Sequence, residues 1–281
     1  MYQDTLALVA KSAQLKANLC SSRLVAYLTH SAMAGVYLGF AVVLAFILST
    51  PFYTTGSPGT VLVLGATFGI ALSLVIMAGA DLFTGNTMIM SVGLLSGKTT
   101  KSDLVKVWFW SYLGNFVGSL FIAFLVWQAN IFHDTSWLFT IAAKKMNASF
   151  SMLFFKGILC NWLVVLAVWC SYRLKNEAAK LIMIWWCLLA FVGSGYEHSI
   201  ANMALLGLAN FLVVDGSSYA ISWGGMLHNL LPVTLGNIVS GVLFMGFGYY
   251  FISPYHAIQS DNEVVEMNDA LKSRLEINEM A

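Results

Sequence analysis

Charge is what this chain has least of. Lys, Arg, Asp and Glu make up 10% of its 281 residues, against about 25% in an ordinary soluble domain. With 59% hydrophobic residues, that scarcity excludes a disordered chain and a typical soluble enzyme, because so apolar a chain must place much of its surface in lipid. Net charge is +1, so there is no basic footprint for nucleic acid. The four cysteines, Cys20, Cys160, Cys170 and Cys187, have no paired-ligand spacing, which argues against a disulfide framework or a zinc site. No Cys/His cluster, Ser-His-Asp set or cofactor loop is visible, so neither a metal nor a cofactor is expected. Residues 1–25 lack the compact apolar core and small-residue cleavage site of a secretory signal. They read as an amphipathic helix lying on the membrane surface.

What is present is long apolar runs. A membrane helix needs about 20 mostly apolar residues, and spans are expected at 27–48, 107–127, 148–172 and 229–252. Two longer stretches cover 61–97 and 181–214. Each would make a straight helix of roughly 50 Å, too long for a hydrocarbon core of about 30 Å. Each also carries ionisable residues near its middle, beside glycines: Asp81 between Gly79 and Gly85, and Glu197 and His198 after Gly193 and Gly195. One broken helix in each stretch is the economical reading. Irregular backbone at membrane depth is tolerated only where protein buries it or it lines a cavity. The expected fold is therefore an all-α membrane protein of six transmembrane helices, with helices 2 and 5 broken.

Lys and Arg give the orientation. Eleven of the 14 fall on one side, in the N-terminal segment, the 2–3 and 4–5 loops and the C-terminal tail. Only Lys144 and Lys145 fall on the other, with Lys156 inside span 4. Both termini are therefore expected in the cytoplasm, with a cytoplasmic helix over 1–25, a pore domain over 26–253 and a cytoplasmic tail over 254–281.

The halves echo each other. Gly79-Ala80-Asp81 followed by Asn86 matches Gly195-Tyr196-Glu197 followed by Asn202, and Leu113–Val117 (LGNFV) matches Leu235–Val239 (LGNIV). Three spans per half is an odd number, so the halves enter the membrane from opposite sides. Two inverted three-helix repeats with corresponding breaks point to a site near the midplane, at the repeat interface. Asp81 and Glu197, with Asn86 and Asn202, read as structural groups that satisfy the breaks.

Three strings carry a resemblance: Ala80–Asn86 (ADLFTGN), Phe154–Val164 (FFKGILCNWLV) and Ser194–Met203 (SGYEHSIANM). They resemble the signatures of the formate/nitrite transporter family, and Ile184–Phe191 (IWWCLLAF) with the Gly85-Asn86 pair is more similar to its nitrite channel branch. The resemblance implies an aquaporin-like protomer in a homopentamer in a cell inner membrane, each protomer with its own pore for small monovalent anions. It also implies roles: His198 as the central histidine, Thr84 as the loop threonine facing it, Leu82 and Phe83 as pore-lining loop residues, and Asn161 on span 4. Lys145, rather than Lys156, matches the vestibule lysine, and Phe68, Leu72, Val164 and Phe191 match the constrictions. Asp81 stands where relatives usually carry Glu.

The chemistry this would serve follows from the cost of an ion at the bilayer centre. Nitrite and formate are conjugate bases of weak acids, so protonation turns them into neutral molecules that cross an apolar ring. A vestibule cation (Lys145) gathers the anion, His198 is the obvious proton donor, and apolar rings exclude water and other ions. Broken-helix N-termini near Thr84 and His198 add N–H donors and positive potential. Thr84 also reads as a helix cap, and Lys156 as a residue bonded to a loop carbonyl. The expected partners are nitrite, protons and the lipid bilayer. Formate or hydrosulfide channels are the alternatives within the family. A neutral-solute facilitator of the aquaporin kind would expect Asn-Pro-Ala at the breaks, which contain no proline: the four are Pro51, Pro58, Pro232 and Pro254.

Overall fold

The computed structural model describes residues 2–214 and 216–253. The expected tail over 254–281 lies outside the described residues. Counting α- and π-wound turns that run on as one helix, the described residues form ten helices: α1 (Gln3–Ser22), α2 (Leu24–Thr54), α3 (Thr60–Gly79), α4 (Phe83–Leu95), α5 (Lys101–Gln128), α6 (Ser136–Met146), α7 (Phe150–Arg173), α8 (Glu177–Gly193), α9 (Ser199–Leu212) and α10 (Trp223–Phe251). No strand occurs among the described residues. Helices α2, α3, α5, α7 and α10 are long and apolar enough to cross a membrane. A sixth passage is consistent with α8 followed by α9.

Both long apolar stretches break where the buried acids lie. Gly79 ends α3 at φ +80° and Gly195 follows α8 at φ +68°, a left-handed conformation that glycine adopts without a Cβ clash. The chain then runs extended into the next helix. Leu82 (φ −100°, ψ 121°) precedes α4 and His198 (φ −107°, ψ 118°) precedes α9, so the two breaks share one backbone shape.

The repeat is larger than three spans. Helices α1–α5 and α6–α10 form two equivalent sets, each opened by a shorter helix, α1 or α6. Packing is equivalent as well. A Cβ on Gly114 of α5 would press on the Leu28 carbonyl of α2, and one on the equivalent Gly236 of α10 would land on the equivalent Phe154 carbonyl of α7. Such close crossings require small residues. The equivalent residues Tyr112 and Thr234 meet hydroxyl to hydroxyl at 3.0 Å, which places the pseudo-two-fold axis between them. Helix α1 buries Leu6, Val9, Ala10, Ala13 and Ala17. Its Ala13 packs against Gly93 of α4 and its Ser12 accepts from the Tyr172 hydroxyl at 2.8 Å, so protein rather than lipid covers this part of it.

Candidate functional site

Each break leaves buried backbone groups without helical partners, and such groups cost free energy unless paired. One asparagine per half pairs them. Asn115 Oδ1 accepts from the Phe83 N–H at 2.9 Å, while its Nδ2 donates to the Asp81 carbonyl at 2.8 Å and the Ser31 carbonyl at 2.7 Å. Asn237 Oδ1 accepts from the Ser199 N–H at 3.0 Å, while its Nδ2 donates to the Glu197 carbonyl at 3.1 Å and the Gly157 carbonyl at 2.8 Å. The break amides reach across too: the Asp81 N–H donates to the His30 carbonyl and the Glu197 N–H to the Lys156 carbonyl.

The two acids, read as structural groups of the breaks, are held by side chains. Asp81 accepts from Lys16 of α1 at 2.5 Å, from the Tyr27 hydroxyl at 2.9 Å and from Asn86. Glu197 accepts from Lys145 of α6 at 2.8 Å and from Asn202 at 2.6 Å. The third polar partner differs between halves. Tyr27, whose hydroxyl also bonds Asn86, has Leu153 as its equivalent, whereas Asn229, which bonds Asn202 at 2.8 Å, has Val107.

Where the breaks face each other, Thr84 Oγ1 and His198 Nε2 lie 3.1 Å apart. His198 caps α9, its Nδ1 accepting from the Ala201 N–H at 3.1 Å. That bond assigns the neutral ring's proton to Nε2, which therefore donates to Thr84. Thr84 itself does not cap α4, whose preceding residue, Leu82, makes no capping bond.

Beside this pair is a constriction of only about 10 Å³, lined by Leu38, Phe68, Ala71, Leu72, Leu82, Val164, Leu188, Phe191 and His198. That is room for no more than about one water molecule. The Phe191 ring lies edge-to-face on Phe68 and stacks on the His198 ring, both at 5.9 Å between centroids. The pseudo-two-fold pairs Leu38 with Val164, Leu72 with Leu188 and Leu82 with His198. One apolar ring is thus built twice, and His198 is the position at which it is made polar.

On the α6 side the constriction opens into a vestibule of about 350 Å³, whose lining includes Phe46, Trp137, Lys144, Lys145, Lys156, Glu197 and His198. Of the residues singled out in the sequence, Phe68, Leu72, Leu82, Val164, Phe191 and His198 converge on the constriction, and Thr84 bonds the last of them. Lys145 lines the vestibule, but its charge is engaged by Glu197. Phe83 is buried against Trp108 and Tyr112, outside both cavities. Asn161 is fully buried and also outside them; its Nδ2 donates to the Asn237 carbonyl at 2.7 Å and to Thr87 Oγ1 at 3.1 Å. Lys156, read as bonded to a loop carbonyl, makes no side-chain bond among the described residues; its backbone makes the contact. Lys16, Tyr27 and Asn229 were not visible as site residues. Asn115 and Asn237 were visible only as the matched LGN strings, and that match was their signal.

The family model described as formate/nitrite transporter matches residues 3–251. The chain is 46% identical over 257 residues to the nitrite transporter NirC of Escherichia coli K12, covering 90% of this chain and 93% of that protein. It is 34% identical over 249 residues to the formate channel FocA of Haemophilus influenzae, covering 80% and 87%. Among solved structures, an FNT family ion channel aligns with a TM-score of 0.84 at 44% identity, covering 89% of this chain and 99% of that one. A pentameric formate channel with formate bound aligns with a TM-score of 0.72 at 30% identity, covering 80% and 96%.

Proposed function

The chain belongs to the formate/nitrite transporter family, a multi-pass membrane protein, and on that premise we propose that it passes small monovalent anions of weak acids, nitrite foremost. The observation that carries this reading is the Thr84–His198 pair at 3.1 Å, set between a lysine-bearing vestibule and a water-excluding apolar ring. Formate is the second substrate, supported by the formate channel among the relatives. The functional unit is a homopentamer, by analogy with the pentameric neighbour. Both termini face the cytoplasm, which makes the α6 vestibule the outer one.

In this mechanism the anion enters the vestibule, drawn by lysine charge, and reaches His198, where Nε2–H donates to it in place of Thr84. Crossing the ring as an ion would require stripping its water shell in a low dielectric, so the anion crosses as its neutral acid. Proton transfer from a neutral imidazole would leave an imidazolate. The ring must therefore take a second proton, from vestibule water, onto Nδ1, which accepts it only by releasing the Ala201 N–H. Once Nε2 has given its proton to the anion, the ring is neutral with its proton on Nδ1; losing that proton to water and taking one from water at Nε2 restores the cap and leaves one proton consumed per anion. The acid passes Leu72, Leu82 and Phe68 and ionises again in water beyond.

Nitrite flux into proteoliposomes, measured across pH, tests this. Wild-type protein should give flux that rises as pH falls, and His198→Phe should abolish the flux or its pH dependence. Wild-type flux no greater than that of empty liposomes at every pH would overturn the reading. Competition by formate ranks the two anions.

A further inference from the structure

Lys156 has a backbone duty and an idle side chain. Its carbonyl accepts from the Glu197 N–H at 3.3 Å, and the equivalent carbonyl of His30 accepts from the Asp81 N–H at 3.2 Å. Any residue supplies a carbonyl, as the Lys/His difference between the halves shows, so this bond does not explain a lysine. Lys156 lies in the second turn of α7, a helix long and apolar enough to cross a membrane, is half-buried, and is among the residues that line the vestibule. Among the described residues it makes no ion pair and no hydrogen bond. The other vestibule lysines stand differently. Lys145 is 2.8 Å from Glu197 and balanced by it, and Lys144 is exposed. The vestibule lining thus holds three lysines and one carboxylate, and the carboxylate is already taken.

An uncompensated cation in a membrane-spanning segment is costly and marks a functional position unless water or a counter-ion satisfies it. We propose that Lys156 is a second anion subsite of this transporter, which holds a small monovalent oxyanion of the nitrite or formate type in the vestibule before it reaches His198. The subsite rests on the anion-transport reading above. Its ammonium offers three donors and a full charge that no carboxylate among the described residues shares. Lys145 mainly neutralises Glu197 and shapes the break. The anion therefore meets Lys156 as its principal electrostatic partner.

Two measurements on the full-length protein test this and separate it from the transport reading. The first is nitrite flux against concentration in proteoliposomes. Lys156→Gln should raise the half-saturating nitrite concentration by about fivefold, the order expected for one partly hydrated charge contact, and flatten its dependence on ionic strength. Lys156→Arg, which keeps the charge, should retain wild-type values. The second is acetylation of surface amines in detergent, read by mass spectrometry: nitrite should slow modification of Lys156 and leave that of Lys11 on the opposite face unchanged. Wild-type flux that is normal, unaltered in Lys156→Gln and accompanied by no shielding of Lys156 overturns the subsite and leaves the transport reading standing. Shielding of Lys156 without any wild-type flux supports the subsite and overturns the transport reading.

Discussion

Asn237→Ala isolates the contribution of one side chain to a helix break. Asn237 is fully buried and makes three hydrogen bonds, at 3.0, 3.1 and 2.8 Å, to the Ser199 N–H and the Glu197 and Gly157 carbonyls. The Gly157 carbonyl lies inside α7 and keeps its helical partner. The Ser199 N–H is one of the unpaired donors at the start of α9, and the Glu197 carbonyl sits in extended backbone; both residues are buried. An alanine leaves these two groups without partners, at about 1–3 kcal/mol each, so the loss should be about 2–6 kcal/mol. That is a large share of the stability of an ordinary domain, about 5–15 kcal/mol. Asn237→Asp should do no better: it keeps an acceptor for Ser199 but turns oxygen lone pairs toward the Glu197 carbonyl. Asn115→Ala should lose a similar amount, because its bonds to Phe83, Asp81 and Ser31 have the same pattern. Denaturant unfolding of the purified protein in detergent, followed by tryptophan fluorescence, measures the loss. A loss under about 0.5 kcal/mol, the usual effect of an indifferent surface change, in either alanine variant would refute the account of how the breaks are held.

Two further perturbations probe the charges and the helix crossings. Lys145→Ala strands the Glu197 carboxylate, which is 4% exposed, and should cost about 3 kcal/mol as a broken buried pair; adding Glu197→Gln should recover part of it in the same unfolding assay, and a double variant no more stable than Lys145→Ala would exclude charge stranding as the cause. Gly118→Ala drives a methyl group into the Ala32 backbone and should cost about 1–3 kcal/mol by overpacking, lowering the melting temperature, while Gly97→Ala in the loop after α4, where no atom lies near the added methyl, should perturb only through its left-handed backbone.

Much of the fold was legible because the signals are local. The two overlong apolar stretches, each interrupted by an acid among glycines, announced the breaks at Asp81 and Glu197, and the matched LGN strings announced the repeat. His198 could be singled out because it lies in one of those breaks; Thr84 was named by the resemblance, and the structure puts the two 3.1 Å apart. The repeat's opening helices were less legible. Helix α1 reads as amphipathic from its composition, but nothing local ties it to α6, whose sequence is unlike its own. Phe83 and Asn161 were assigned to the pore by resemblance; no local signal told of their packing, Phe83 against Trp108 and Tyr112 and Asn161 onto a carbonyl of α10.

By itself, then, the sequence determined the membrane class, the two breaks and the duplicated architecture, since hydropathy, spacing and repeated strings belong to a residue and its neighbours. Only the tertiary structure decided which charges meet. Lys16 reads as one more cation marking a membrane face, like Lys11, until the fold carries it onto Asp81, 65 residues away. Nothing in the sequence says which of Lys145 and Lys156 meets Glu197; the fold gives it to Lys145 and, among the described residues, leaves the Lys156 side chain without an ion pair. Pairing is a property of positions in space, and a lysine's own sequence neighbourhood carries no record of the carboxylate that will neutralise it.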